Sequence, residues 1–164
     1  MNDKEIFLKC KKIKLLITDV DGVLTDGGMY YSENGELLKK FNTRDGMGVE
    51  LLHNASIKTI FLTGENSKIT KKRAKKIGVD KCFLNIKHKE SKLDEICKMF
   101  KIKYENIAYI GDDINDLKIM KLSNLSAAPN DAIPEIKSIC NYICKTKGGS
   151  GAFREFADFI LKHN

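Results

Sequence analysis

The chain has 164 residues, 42% of them hydrophobic and 31% charged, a composition typical of one globular domain with its own core. No apolar run approaches the roughly 20 residues of a membrane-spanning helix, and residues 1–5 lack the basic-then-apolar pattern of a secretion signal, so we expect a cytoplasmic protein. The net charge is +7, but the excess lysines are not interleaved with aromatic residues, which argues against nucleic-acid binding and leaves an anionic small molecule as the expected partner.

The first predicted element is a buried strand over the apolar run Ile13 to Ile17. It leads into Asp19-Val-Asp21-Gly22, a tight turn carrying two carboxylates. Further along, Asn34-Gly35 lies between two β-prone runs and predicts a hairpin inserted at about residues 27–41. A short helix is predicted over residues 44–54.

The rest of the chain alternates strands with helices. Strands are predicted over residues 57–62, 81–84, 107–110, 125–128 and 141–143. Helices are predicted over residues 66–77 and 89–100, after the turn at 111–116, near 133–134, and over 152–161. This alternation predicts an α/β fold of three layers, Rossmann-like, with a central parallel sheet. We expect one domain covering residues 1–164.

The Asp19 turn places two carboxylates at the carboxyl end of its strand, where open α/β sheets bind their ligands. One carboxylate can attack an electrophile, and the other, two residues on, can transfer a proton. Both can approach Mg2+, which prefers carboxylate oxygens. Asp-x-Asp-Gly is also ordinary turn chemistry, so the pair alone does not decide between the two interpretations.

Other polar groups follow other predicted strands. Thr63 and Gly64 follow the strand at 57–62, Lys89 opens a helix near the same sheet edge, and Gly111-Asp-Asp-Ile-Asn-Asp116 follows the strand at 107–110. Three carboxylates within five residues repel one another unless a cation is present. Together these groups supply what phosphoryl transfer needs: an oxygen nucleophile, a metal and donors for the phosphoryl oxygens.

The five cysteines are scattered and odd in number, which favours reduced thiols over a disulfide framework. Cys140-x-x-x-Cys144 is half of a possible metal site, but no second pair or nearby histidine completes it.

Taken in order, the Asp19 turn, Thr63-Gly64, Lys89 and the Gly111–Asp116 segment resemble the four motifs of the haloacid dehalogenase superfamily of aspartyl phosphotransferases. The resemblance implies that Asp19 is the phosphate-accepting nucleophile and Asp21 the general acid/base. Thr63, Gly64 and Lys89 would bind the phosphoryl group.

The same resemblance implies a Mg2+ site. Its ligands would be Asp19, the backbone carbonyl of Asp21, and Asp112, with Asp113 and Asp116 as support or as groups that orient Lys89. The glycine usual four residues before the lysine is replaced by Asn85, which leaves Lys87 or Lys92 as alternatives for that role.

Three further segments resemble the small, capless branch that hydrolyses phosphorylated 3-deoxy-2-ulosonic acids: the hairpin, Phe41–Gly48 and Gly148–Glu155. The stretch between the Asp19 turn and Thr63 is too short for a cap domain. The resemblance implies a homotetramer in which hairpins pack together and neighbouring subunits wall the active site.

Within this branch the expected substrate is an eight-carbon octulosonate 8-phosphate or a nine-carbon nononate or neuraminate 9-phosphate. Glu65 replaces the arginine usual in the octulosonate enzymes and resembles the nine-carbon group, so we lean slightly toward nine carbons. The substrate carboxylate needs a cation, and the candidate substrate-binding residues are Thr43, Arg44, Glu65, Arg73, Lys76 and Arg154.

Two alternatives remain open: a phosphatase of another sugar phosphate or of a phosphoprotein, and a catalytically idle domain that only holds a tetramer together. The intact Asp19 and Asp21 argue against idleness. A receiver domain also gathers acidic residues, a threonine and a lysine, but its phosphorylated aspartate should follow a middle strand, and none follows Leu62.

Overall fold

A six-stranded parallel sheet forms the centre of the protein in a computed structural model that describes residues 3–164. Residues 1 and 2, on which the expectation of a start without a secretion signal partly rests, lie outside the described residues. The strands are β1 Leu15–Thr18, β2 Tyr30–Ser32, β3 Gly35–Leu38, β4 Lys58–Leu62, β5 Lys81–Phe83, β6 Ile107–Ile110, β7 Leu125–Ala128 and β8 Tyr142–Ile143.

Seven α-helices are present among the described residues. They are α1 Asp3–Cys10, α2 Thr43–Asn54, α3 Lys68–Ile77, α4 Leu93–Phe100, α5 Leu117–Leu122, α6 Pro134–Ile139 and α7 Ala152–His163. Short 3-10 helices cover Lys89–Lys92, Tyr104–Asn106 and Ile114–Asp116. No helix in this part of the chain has both the length and the apolar character to cross a bilayer.

The order of the sheet is β5-β4-β1-β6-β7-β8, with every pair parallel. Side chains of β1 alternate between its faces: Leu16 joins a core with α2 and α7, while Leu15 and Ile17 join a core with α4, α5 and α6. Because strand residues point alternately to either side, one fully buried strand serves both cores. The predicted three-layer α/β fold is confirmed.

The register places three strand ends side by side. Thr18, the last residue of β1, is level with Phe61 on β4 and with Ile110 on β6. The residues that follow these strands therefore meet at one edge, as the sequence predicts.

The predicted hairpin is a separate antiparallel ribbon of β2 and β3, and residues 3–164 contain no cap domain. A bridge between Thr25 and Phe41 closes its base, so the insertion leaves and rejoins the domain at one place. The tight turn lies at Glu33–Asn34, one residue earlier than the Asn-Gly pair indicates, and Gly35 opens β3 with φ +104°.

Two helix ends follow the sequence signals closely. Ser67 caps α3 by accepting a hydrogen bond from the Thr70 amide, and Gly78 ends it in the left-handed conformation. All five cysteines lie among the described residues, and each is a free thiol there.

Candidate active site

The Asp19 turn is shaped by close approach to its neighbours. The Asp19 amide donates to the Ile110 carbonyl, which fixes the turn against the end of β6. Gly22 has φ +88°, and a Cβ there would overlap the Asp112 carboxylate. Glycine is therefore required both by conformation and by space.

Lys89 is the central cation of the site, and none of its side chain is exposed. Its Nζ lies 2.8 Å from Asp19 Oδ1 and 2.6 Å from Asp116 Oδ1. Burial lowers the pKa of Lys89, but the two carboxylates outweigh that effect and raise it above its usual value. The lysine therefore holds the nucleophile candidate in place as a charged group.

Asp116 is fully buried and its hydrogen-bonding capacity is taken up. Oδ1 accepts from Lys89 and, at 2.6 Å, from the Tyr109 hydroxyl, while Oδ2 accepts from the amides of Asp112 and Asp113. This arrangement makes Asp116 a support for Lys89 and for the Asp112 loop. Tyr109 also belongs to this network. The sequence does not indicate this role, because the strand of Tyr109 is a buried apolar run.

A divalent cation fits this site. Oxygens of Asp19, Asp112 and Asp116 lie within 4.8 Å of one another, and buried Asp112 Oδ1 has no hydrogen-bond partner within residues 3–164. Burial raises the pKa of Asp19 and of Asp112, and repulsion between the carboxylates raises both further. One lysine does not balance three carboxylates, whereas a hard dication with oxygen ligands would. Asp113 is exposed and caps the following 3-10 helix through the Ile114 amide.

The loop before Lys89 reaches the end of β4 although Asn85 stands where a glycine is usual. Asn85 takes φ +59°, a left-handed conformation that asparagine tolerates better than most residues. Its amide donates to the Glu65 carbonyl, and the Ile86 amide donates to the Thr63 carbonyl. Lys92 pairs with Glu95, and Lys87 lines a different cavity. Of the three lysines, Lys89 is the one in contact with Asp19.

A cavity of about 180 Å³ opens over these groups. Its lining residues are Asp19, Asp21, Thr63, Gly64, Glu65, Asp112, Asp113 and Asn115. The Thr63 hydroxyl accepts a hydrogen bond from the Glu65 amide, which leaves its own proton for a ligand in the cavity. The arrangement can hold a tetrahedral anion between a carboxylate nucleophile, a cation and hydroxyl or amide donors.

Asp21 stands at the edge of this cavity with its two oxygens in different surroundings. Oδ1 accepts from Lys39 Nζ, which comes from the hairpin of the same chain. Oδ2 is buried and has no hydrogen-bond partner in the described part of the chain. No motif in the sequence points to Lys39.

The candidate substrate-binding residues divide into groups. Glu65 lines the cavity over Asp19, whereas Arg44 and Arg154 line a separate cavity of about 380 Å³ beside the start of α7. Arg73 donates to the Asn42 carbonyl and lies over the Phe41 ring. Thr43 and Lys76 are exposed on α2 and α3. Within one chain, none of these cations lines the cavity over Asp19.

The glycine segment before α7 lies against the Asp19 turn. The Gly149 amide donates to the Val23 carbonyl, and a Cβ on Gly148 would overlap the Gly22 carbonyl. Glu155 ties the segment down by accepting from Tyr142 and from the amides of Lys145 and Thr146. The close approach explains why glycines occur there.

Known proteins that are similar to this chain are phosphatases and related hydrolases. A sequence model of the haloacid dehalogenase-like hydrolases matches residues 85–155. The chain is 41% identical to the 3-deoxy-D-manno-octulosonate 8-phosphate phosphatase of Haemophilus influenzae, over 94% of this chain and 86% of that protein. It is 36% identical to the enzyme of the same name from Escherichia coli K12, over 96% and 84%.

Solved structures of such phosphatases have the same fold. The cobalt-bound form from Haemophilus influenzae matches with a TM-score of 0.92 at 41% identity, covering 94% of this chain and 91% of that one. The enzyme from Moraxella catarrhalis, in complex with a magnesium ion, a phosphate ion and a KDO molecule, matches with a TM-score of 0.95 at 33% identity, covering 99% and 94%.

Proposed function

Because the chain belongs to the haloacid dehalogenase-like hydrolases, we propose that it is a Mg2+-dependent phosphatase that hydrolyses the phosphate ester of a 3-deoxy-2-ulosonic acid. One observation carries the proposal: Asp19, Asp21, Thr63, Gly64 and Asp112 line one cavity, with Lys89 in contact with Asp19. The similarity to phosphatases over nearly the whole chain supports it.

In the first step, a carboxylate oxygen of Asp19 attacks phosphorus. The bond between phosphorus and the sugar oxygen breaks as the bond to Asp19 forms, giving an aspartyl-phosphate. Asp21 gives its proton to the departing sugar oxygen, so the sugar leaves as a neutral alcohol. The Lys89 ammonium, the Thr63 hydroxyl and the Gly64 amide stabilise the charge on the phosphoryl oxygens.

In the second step, Asp21, now ionised, takes a proton from water. The water oxygen attacks phosphorus, the bond to Asp19 breaks, and inorganic phosphate is released. Asp19 returns as a carboxylate and Asp21 as an acid, so the cycle closes with no other reactant than water.

Mg2+ fits the carboxylates of Asp19 and Asp112 together with the Asp21 carbonyl, and the unpartnered Asp112 Oδ1 supports this assignment. When bound, the ion supplies positive charge that neutralises nucleophile and phosphate and aligns them. Asp116, with its oxygens already occupied, supports the site through Lys89 rather than as a ligand.

Two observations bear on the identity of the substrate. They favour different members of one class, the phosphate esters of 3-deoxy-2-ulosonic acids. The named relatives favour octulosonate 8-phosphate. Glu65 lines the cavity, and its carboxylate would repel a substrate carboxylate but accept hydrogen bonds from sugar hydroxyls, of which a nine-carbon chain has more. The second candidate is therefore a nononate or neuraminate 9-phosphate.

Phosphate release from a panel of eight- and nine-carbon ulosonate phosphates, with a simple hexose phosphate and a phosphopeptide as controls, tests the proposal. Glu65→Arg should shift the ratio of kcat/KM toward the eight-carbon ester. Turnover of the hexose phosphate or the phosphopeptide above both ulosonate esters would contradict the substrate class. An unchanged ratio in Glu65→Arg would contradict only the role of Glu65.

A homotetramer accompanies this proposal. Met29, Tyr31 and Leu37 on the hairpin are each about 60% exposed, an unusual apolar surface for a free two-stranded ribbon. Packing of hairpins against one another would cover it, and a neighbouring subunit could then add cations to a cavity that lacks those of its own chain. The cytoplasmic location expected from the sequence stays a prediction.

A further inference from the structure

We infer that Lys39 of the hairpin is a positioning residue for Asp21, holding one oxygen of the acid so that the other faces the leaving group. The inference rests on the proposed function. It starts from the ion pair between Lys39 Nζ and Asp21 Oδ1, which joins the hairpin insertion to the catalytic cavity of the same chain.

Lys39 is held from two sides. Its Nζ also lies 3.1 Å from Glu36 Oε1, and only 4% of its side chain is exposed. With two carboxylates as partners and almost no access to solvent, the ammonium is not available as an anchor for the substrate's own carboxylate. Its contacts instead restrict the rotation of Asp21, as a planar carboxylate with one oxygen fixed has little freedom left.

Glu36 links this pair to the phosphate-binding side of the cavity. Its Oε2 accepts from the Ser67 hydroxyl at 2.5 Å, and Ser67 is the N-cap residue of α3, three residues beyond Gly64. The chain of contacts from Ser67 through Glu36 and Lys39 therefore joins the start of α3 to Asp21 at the edge of the cavity. It gives the hairpin a catalytic task in addition to the assembly role expected of it.

The state of the other Asp21 oxygen agrees with this role. Oδ2 is buried and makes no hydrogen bond to any of the described residues. Asp21 itself borders the cavity. When a lysine fixes one oxygen of the acid and the other oxygen has no partner, the second oxygen can transfer a proton to the leaving sugar oxygen in one orientation. Correct orientation of a reacting group is a large part of what an enzyme contributes.

The test compares Lys39→Met with Lys40→Met. Lys40 is the neighbouring lysine and also pairs with an aspartate, Asp26 at 3.3 Å, but 63% of its side chain is exposed. Two esters are used for each protein: octulosonate 8-phosphate, whose alkoxide must be protonated to leave, and p-nitrophenyl phosphate, whose phenolate leaves without a proton. The ratio kcat/KM reports the steps up to departure of the alcohol.

For Lys39→Met we expect kcat/KM for the sugar ester to fall about 10- to 100-fold, mainly through kcat, since misplacing an acid loses part of its 10²–10⁴-fold contribution. For the aryl ester we expect a fall of less than about threefold, because no acid is needed in that step. Lys39→Arg should recover part of the loss. Glu36→Gln should show the same pattern more weakly, and Lys40→Met should match the wild type.

Equal losses on the two esters, or a rise in KM for the sugar ester with kcat unchanged, would overturn the positioning role. Light scattering and thermal melting of each variant identify losses that come from assembly or folding, and Glu36→Gln and Lys39→Arg decide the matter if Lys39→Met is unstable. If the wild type hydrolyses both esters and Lys39→Met has the same kinetic constants as the wild type, this inference is refuted and the proposed function is not. A wild type inactive on every phosphate ester refutes the proposed function, and the role of Lys39 with it.

Discussion

Lys89 and Asp19 form an ion pair of 2.8 Å in which the lysine side chain is wholly buried. The same ammonium contacts Asp116 at 2.6 Å, so one cation connects the end of β1 to the end of β6. Removing one member of a buried pair leaves an uncompensated charge, which typically costs about 3–5 kcal/mol. The position of Asp19, the proposed nucleophile, and the stability of the protein therefore depend on the same contact.

Tyr109 tests how far the support of that pair extends. Tyr109→Phe removes the hydroxyl that donates to Asp116 Oδ1 and leaves a fully buried acceptor with one donor fewer. We expect unfolding by urea to show a loss of about 1–3 kcal/mol. Tyr104→Phe is the control, because Tyr104 donates to Asp94 at the surface and its loss should be much smaller. Equal effects of the two variants would contradict the importance of the buried network.

The carboxylate cluster predicts that Mg2+ stabilises the protein as well as activating it. Bound Mg2+ should raise the Tm of the chelator-treated wild type, because it relieves repulsion among Asp19, Asp112 and Asp116. Asp112→Asn should weaken this shift strongly and should lower activity at fixed Mg2+. Ca2+ should occupy the site but inhibit, since its looser geometry does not hold the in-line arrangement. Full phosphatase activity after exhaustive chelation would contradict the metal assignment.

Asp45 lies outside the cavity over Asp19, and its burial predicts that stability depends on pH. Its Oδ1 accepts from the Arg154 amide in the first turn of α7, its Oδ2 has no partner in the described residues, and burial raises its pKa to about 6. The folded state then binds more protons than the unfolded state between about pH 4 and pH 6, so this group lowers stability as the pH rises through that window.

Asp45→Asn keeps the acceptor and removes the titration. Relative to the wild type, the variant should gain stability from pH 4 to pH 6, by up to about 3 kcal/mol for a shift of about two pKa units, and the gain should stay constant above pH 7. Urea unfolding at several pH values measures it. A stability difference that does not change with pH would show that the nearby Arg73 and Arg154 hold the carboxyl ionised throughout.

The exposed hairpin predicts the assembly state. Leu37→Glu places a charge on the apolar face of β3, where Leu37 is 61% exposed, and should convert a tetramer into smaller species in light scattering. Met99→Glu on α4, where Met99 is 44% exposed, is the control and should leave the mass unchanged. A wild type that is monomeric at micromolar concentration and fully active would contradict the idea that neighbours complete the site.

Much of the sheet could be predicted from the sequence, because its strands are short apolar runs bounded by polar turns. The residues that follow β1, β4 and β6 could be assigned to one edge for the same reason: parallel strand ends must meet. Helix α1 was not predicted, since three of its apolar residues, Ile6, Phe7 and Leu8, are consecutive and give no helical period over the eight-residue span. The turn of the hairpin was displaced by one residue, because β2 is exposed throughout and register is strongly specified only where one face of a strand is buried.

The parts of the site that escaped prediction depend on tertiary contacts. The sequence around Tyr109 indicates a core residue, because its strand is apolar throughout. Its hydroxyl belongs to the site only through the hydrogen bond that it donates to Asp116. Lys39 is one of many lysines until the hairpin folds back onto Asp21. Arg44 and Arg154 are distant in sequence and share a cavity other than the one that Asp19 and Asp112 line. No local pattern contains this information.

The most direct test of the account is phosphate release from octulosonate 8-phosphate in Mg2+ by the wild type, by Asp19→Asn and by Asp94→Asn, whose carboxylate is at the surface of α4. The account predicts release by the wild type and by Asp94→Asn. Asp19→Asn should keep its fold and release no phosphate above background, because an amide cannot form the aspartyl-phosphate. Release by pure Asp19→Asn at a rate near that of the wild type would contradict the assignment of Asp19 as the nucleophile.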